Sequence, residues 1–167
     1  MPAVAMSTEP TLRLTDLLTE ERVVVDVDGT VVRSKEDALR LLAQKLAPAV
    51  GTESATIERL LVDRERLQST GIGDGVAVPH ASADSATRQA VALVVCPGGV
   101  PFDAIDGADV TLIVGVVGPR HATGEHLRVL ARISRLLRDA GARTQLIGAD
   151  GAETAFQLVK RYDRDLR

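Results

Sequence analysis

Residues 64–80 read Arg64-Glu65-Arg66-Leu67-Gln68-Ser69-Thr70-Gly71-Ile72-Gly73-Asp74-Gly75-Val76-Ala77-Val78-Pro79-His80. In order, this run holds the last turns of a helix, three closely spaced glycines, a short apolar strand and a histidine behind a proline. A helix passing through a tight turn into a strand is the repeating step of an α/β domain. Upstream, Ser54–Leu67 has Ile57, Leu60, Leu61 and Leu67 on one side and reads as the helix that delivers Arg64. Before it, Ser34 is placed to cap a helix with Glu36 and Asp37 in its first turn, and Pro48 and Gly51 are expected to stop that helix. Arg22–Val27 with Val31–Val32 reads as strand material around an Asp28-Gly29 turn. Downstream, Ala81–Arg88 reads as a polar loop or short turn, and Ala90–Val95 as a strand ended by Cys96-Pro97-Gly98-Gly99. Val110–Val117 is the most continuous apolar strand, as one buried on both faces would be, and Gly118-Pro119 is expected to break it. Thr123 then reads as the cap of a helix running to about Asp139, and Ala152–Tyr162 as the closing helix. The expected fold is an α/β single-domain sandwich with a mixed sheet flanked by helices, residues 12–167, behind a flexible N-terminus at residues 1–11.

The totals narrow the function. With 167 residues the chain has room for one well-cored domain. Aromatic residues make up only 2 %, so base stacking is not a binding mode here, and a formal charge of −3 gives no electrostatic footprint for nucleic acid or an anionic membrane. The single cysteine, Cys96, excludes an internal disulfide and suits a reducing compartment. No secretory signal is visible after Met1 or Met6, and no apolar run approaches the roughly 20 residues of a membrane helix. A cytoplasmic protein is the expectation.

His80 is the first candidate for chemistry. Pro79 fixes its own φ and pushes Val78 toward the extended region, so the histidine is delivered at a rigid strand end. A nucleophilic imidazole must be neutral with one nitrogen exposed, its other N–H held by an acceptor that sets the tautomer. Strand-end carbonyls supply such acceptors. The hydroxyls of Ser69 and Thr70 and the N–H groups around Gly71 and Gly73 are candidates for lining an anion pocket, although a glycine run at a helix–strand junction is also an ordinary turn. The run lacks the Gly-Lys-Ser/Thr ending of a nucleotide loop, so ATP is not implied.

At 100° per residue His126, Val129, Leu130, Ile133, Leu136 and Leu137 share one helix face, and Arg128, Arg132, Arg135 and Arg138 the opposite one, read here as a solvated stripe. His126 thus points toward the core from a first turn, where the helix dipole favours anions and a neutral imidazole. Arg64 gains a role only if the chain folds it toward His80, where a guanidinium stabilises charge on a transferring phosphoryl group. His121 and His126 are spaced i,i+5, which does not place two metal ligands on one helix turn, and no metal site is expected.

Two resemblances follow from these motifs. Val23–Ser34, Val-Val-Val-Asp-Val-Asp-Gly-Thr-Val-Val-Arg-Ser, resembles the first motif of haloacid-dehalogenase-type phosphatases, in which Asp26 would be the nucleophile and Asp28 the general acid. The later motifs of that family do not follow in order, and a strand with an Asp-Gly turn is the preferred reading. Far more extensive is the run Arg64-Glu65-Arg66, Ser69-Thr70-Gly71-Ile72-Gly73 and Gly75–His80, with Pro101-Phe102-Asp103, Asp106-Gly107, Pro119 and Glu125-His126-Leu127. These resemble enzyme IIA domains of the phosphotransferase system, of the fructose/mannitol/nitrogen-regulatory class. The resemblance implies that His80 accepts a phosphoryl group from the histidine-containing phosphocarrier protein HPr as a tele-phosphohistidine. His80 would pass it to a cysteine of enzyme IIB, which works with the membrane permease IIC in sugar uptake. It implies that His126 is the second active-site histidine, that Arg64 is the charge-stabilising arginine, and that no cofactor is needed. The nitrogen-regulatory branch would use the same histidine and act by phosphorylation-dependent protein binding. Cys96-Pro97-Gly98-Gly99 only superficially resembles the phosphorylated cysteine loop of IIB domains.

Overall fold

The computed structural model describes residues 12–166; the expected flexible N-terminus, residues 1–11, lies outside them. Six strands form one mixed sheet: β1 (Val23–Val25), β2 (Gly71–Gly73), β3 (Val76–Ala77), β4 (His80–Ala83), β5 (Ala90–Val100) and β6 (Val110–Pro119). The order is β1-β5-β6-β3-β2, with β4 also paired to β6. β5 and β6 are antiparallel, while β1 runs parallel to β5, and β3 and β4 both run parallel to β6. β3 and β4 are thus two halves of one path along β6, interrupted at Val78-Pro79.

The period-2 alternation of β5 sorts its side chains between two cores. Ala90, Ala92, Val94 and Cys96 pack under α1 (Lys35–Val50) and α2 (Ser54–Leu67), whereas Val91, Leu93 and Val95 face α3 (Thr123–Leu137), α4 (Ala140–Ile147) and α5 (Ala152–Asp165). The sheet is covered on both sides, which is why Val110–Val117 needs no polar face. Gly115 is the point of closest approach to α1: a Cβ there would lie 2.8 Å from a Leu42 methyl.

Several boundaries differ from the sequence reading, each for a local reason. Ser34 caps α1 as expected, accepting from the Asp37 N–H at 3.1 Å, but the helix runs through Pro48 to Val50. A proline in the last turn removes a single hydrogen bond, and burial of Leu46, Ala47 and Val50 holds the turn; Gly51, at φ 74°, ends it. Val31–Val32 forms no strand, because the buried Asp26 carboxylate accepts the N–H groups of Thr30, Val31 and Val32 and folds them into a turn. The Cys96–Gly99 segment does not end β5. A bulge between Val95 and Val100, with Gly99 at φ 81°, lets pairing resume at Val100 with Val110. β6 likewise continues through Gly118 to Pro119, which pairs with Ala83, and residues 80–83 are strand rather than loop. Thr123 does not cap α3; its hydroxyl donates to the Arg120 carbonyl and the cap position is Ala122. Asp139 starts α4 by accepting from Gly141 and Ala142, and the closing helix extends to Asp165.

The arginine stripe of α3 is not wholly solvated. Arg132 is buried and donates at 2.6 Å to the carboxylate of Asp163 and at 2.7 Å to its carbonyl, tying α3 to α5. No described helix is long and apolar enough to cross a membrane.

Candidate active site

The interruption at Val78-Pro79 creates the site. Val78 leaves the β6 ladder, and its two backbone groups take other partners: its N–H donates to the Thr70 carbonyl at 3.0 Å, and its carbonyl accepts from His80 Nδ1 at 2.8 Å. A carbonyl can only accept, so Nδ1 carries the proton and Nε2 carries the lone pair. The Pro79 carbonyl still accepts the Val116 N–H at 3.0 Å, so the kinked residues remain anchored to the sheet. His80 therefore stands at the first residue of β4, directly after the kink.

His126 enters from the first turn of α3, and its ring centroid lies 5.8 Å from that of His80, the planes inclined at 55°. It is buried, and its Nδ1 is 3.0 Å from Gln89 Oε1. Burial, and then the adjacent His80, hold its pKa below the ordinary histidine value. Arg64 donates to the Gln68 carbonyl at 2.9 Å and shares with His80 an open cleft of about 280 Å³. Gln68, Ser69, Thr70, Ile72, Val78, Leu130 and Ser134 complete its lining. Arg64 and His80 thus line one cleft, and the buried His126 stands against His80 without being among the residues that line it.

The glycine-rich turn is arranged differently from an anion cradle. Ser69 Oγ donates to the Phe102 carbonyl at 2.8 Å and accepts the Gly71 N–H. The Thr70 N–H and hydroxyl both go to the carboxylate of Glu65, the hydroxyl at 2.6 Å. Gly71 packs against Ala104, where a Cβ would lie 2.7 Å from its neighbour, and Gly73 lies beside Asp106. Ser69 and Thr70 reach the cleft, with the Ser69 hydroxyl, the Thr70 N–H and hydroxyl and the Gly71 N–H each donating to a protein acceptor.

Sequence reasoning missed the supports. Glu65 is buried, with Lys35 Nζ at 3.0 Å, and it fixes the Thr70 backbone that in turn holds Val78. Gln89 is fully buried beside His126. Glu65 stood inside the legible run; Gln89, the last polar residue of a polar loop before an apolar strand, gave no signal. Cys96 is buried, and burial, followed by Asp26, pushes its thiol up to about 12, far from a reactive thiolate. The Asp26 carboxylate is enclosed by backbone N–H groups, which rules it out as the phosphatase nucleophile. Among the described residues, no three His, Cys, Asp or Glu side chains gather as a metal set.

With this geometry in view, a family model described as "Phosphoenolpyruvate-dependent sugar phosphotransferase system, EIIA 2" matches residues 16–162. A protein named nitrogen regulatory protein from Pseudomonas aeruginosa is 37 % identical over 89 % of the chain and 95 % of its own length. The fructose-specific EIIABC component of Bacillus subtilis is 29 % identical over 92 % of the chain, which spans 24 % of that longer protein. The crystal structure of nitrogen regulatory protein IIA-Ntr from Neisseria meningitidis superposes with a TM-score of 0.79 at 29 % identity, covering 87 % of this chain and 98 % of that one.

Proposed function

The chain belongs to the EIIA type-2 family of the phosphoenolpyruvate-dependent sugar phosphotransferase system, and from that premise we propose that it is a cytoplasmic phosphoryl carrier whose acceptor atom is His80 Nε2. The observation that carries this reading is the 2.8 Å contact from His80 Nδ1 to the Val78 carbonyl, which leaves Nε2 as a fixed lone pair beside an open cleft. The donor is a phosphorylated HPr-type carrier. Nε2 attacks the phosphorus, the donor's N–P bond breaks, and its electron pair returns to the donor imidazole. Because the Val78 carbonyl keeps a proton on Nδ1, the His80 ring later departs as neutral imidazole rather than imidazolate, which makes onward transfer easy. Arg64 neutralises charge on the equatorial oxygens, and His126 orients one of them. Such transfer asks for positioning and charge stabilisation, without metal or cofactor.

Two outputs exist among the relatives. We favour the nitrogen-regulatory one, acting through phosphorylation-dependent protein binding, because a relative 37 % identical to this chain and matched over 95 % of its own length carries that name. Transfer to a IIB cysteine in fructose- or mannitol-class uptake is the second reading, supported by the fructose-specific relative. Supplied with labelled phosphorylated carrier, the wild type should gain an acid-labile, base-stable phosphoryl group and His80→Ala should not. Label retained by that variant sinks the assignment. Rapid discharge of the phosphoprotein by a fructose- or mannitol-class IIB domain overturns the regulatory preference.

A further inference from the structure

Gln89 lies in the loop between β4 and β5, is 0 % exposed, and bonds one group through its amide: His126 Nδ1, 3.0 Å from Oε1. Its Nε2 has no hydrogen-bond partner among the described residues. A buried amide with one end unsatisfied is a destabilising feature that a leucine would avoid. The fold nevertheless makes room for it. Gly118, in β6, sits directly against the amide: a Cβ there would lie 2.0 Å from Oε1, 2.1 Å from Cδ and 2.2 Å from Nε2. Any other residue at 118 would drive the amide away from His126.

We propose that Gln89 is a positioning residue that selects, by the orientation of its side-chain amide, which ring nitrogen of His126 carries the proton. With Oε1 toward the ring, His126 is protonated on Nδ1 and its Nε2 holds a lone pair. With the amide turned by half a revolution, Nε2 of Gln89 donates to His126 Nδ1, and the ring carries its proton on its own Nε2. The turn exchanges one hydrogen bond for another. The far end of the amide has no bond to lose, so the orientation seen here, Oε1 toward His126 Nδ1, is exchanged without giving up a further hydrogen bond. One proton leaves Nδ1 and one is taken up at Nε2, so the ring stays neutral throughout. A glutamate in this place would only accept, and would add a charge that draws a second proton onto the ring. Burial and the facing His80, the titratable group that approaches from β4, both favour the neutral ring that an amide can serve in either state. The second orientation rests on the proposed phosphoryl chemistry: a phosphoryl group on His80 presents oxygen atoms, which need a donor from His126 rather than a lone pair.

The test is nitrogen-detected NMR of the full chain labelled with ¹⁵N-histidine. In free wild type His126 should carry its proton on Nδ1. In Gln89→Met that excess should be lost, and Gly118→Ala, which changes no titratable or hydrogen-bonding group, should lose it too. Gln89→Glu should keep the Nδ1 proton and raise the His126 titration midpoint. After phosphorylation by the carrier protein, wild-type His126 should move its proton to Nε2. A wild-type tautomer in folded Gln89→Met, or an Nδ1 proton retained in phosphorylated wild type, overturns the proposal. The free-protein comparison needs no phosphoryl donor. A chain that is never phosphorylated at His80 therefore refutes the carrier reading while the Gln89 assignment is still decided by the variants.

Discussion

His80 owes its readiness to a proline. Pro79 interrupts the strand, the Val78 carbonyl turns to the imidazole, and a single acceptor fixes both ring orientation and tautomer. Sequence spacing singled out His80 and Arg64 from the pattern around the glycine run and His126 from helical periodicity, and the fold sets His126 against His80 and Arg64 on the same cleft as His80. Gln89 was not, because it meets His126 across 37 positions and no local spacing records such a contact. The buried state of His126 has a measurable consequence. Its folded-state pKa lies below the unfolded value of about 6.5. As pH falls below that value the unfolded chain binds a proton that the folded chain resists, so stability is lost from about pH 6.5 down through the folded pKa. Urea unfolding of wild type should show this loss, and His126→Gln should lack that component; an identical pH dependence in both would contradict the placement of His126.

At the scale of elements, the helix–turn–strand unit of α2, β2 and β3 works because Glu65 reaches forward from α2 to hold Thr70. Lys35 from α1 holds the other side of the carboxylate. Glu65→Gln keeps the shape and removes the charge. It should destabilise the fold by about 1–3 kcal/mol and raise amide exchange at Thr70 and Val78, measured by denaturant unfolding and hydrogen exchange. Unchanged exchange at Val78 would break the chain of support from Glu65 to His80. The long periodic elements α2, α3, β5 and β6 were readable from sequence because burial imposes their period. What escaped were β2, inside the glycine run read as a turn, β4, whose short alternation sits among polar residues, and α4, an eight-residue helix that starts where α3 was expected to finish. Pro48 and the Cys96–Gly99 segment look like punctuation, yet a last-turn proline and a bulge both let an element continue when its neighbours hold it.

For the molecule as a whole, two cores on opposite faces of one sheet must be held in register for α3 to set His126 against His80. On the α3 side the Arg132–Asp163 pair ties α3 to α5, and Asp163 also accepts the Leu14 N–H at 2.9 Å, drawing the start of the described chain onto α5. Both side chains are buried, so Asp163→Ala leaves an unpaired cation and should cost about 3–5 kcal/mol in urea unfolding. Replacing both residues with apolar ones should cost less than the sum of the single changes; additive losses would show that the pair is not coupled. The mixed, doubly covered sheet was legible because the strands read as alternating with helices and Val110–Val117 carries no polar face. The arginine stripe misled because periodicity assigns a face without saying what packs on it.

The proposed chemistry depends on the Val78 carbonyl leaving His80 a lone pair at Nε2. The direct measurement is phosphorus–nitrogen NMR of the ¹⁵N-histidine-labelled phosphoprotein. Phosphorus should couple to His80 Nε2, with Nδ1 still protonated; a coupling to Nδ1, or to a nitrogen of His126 or His121, overturns the assignment of His80 Nε2 as the acceptor.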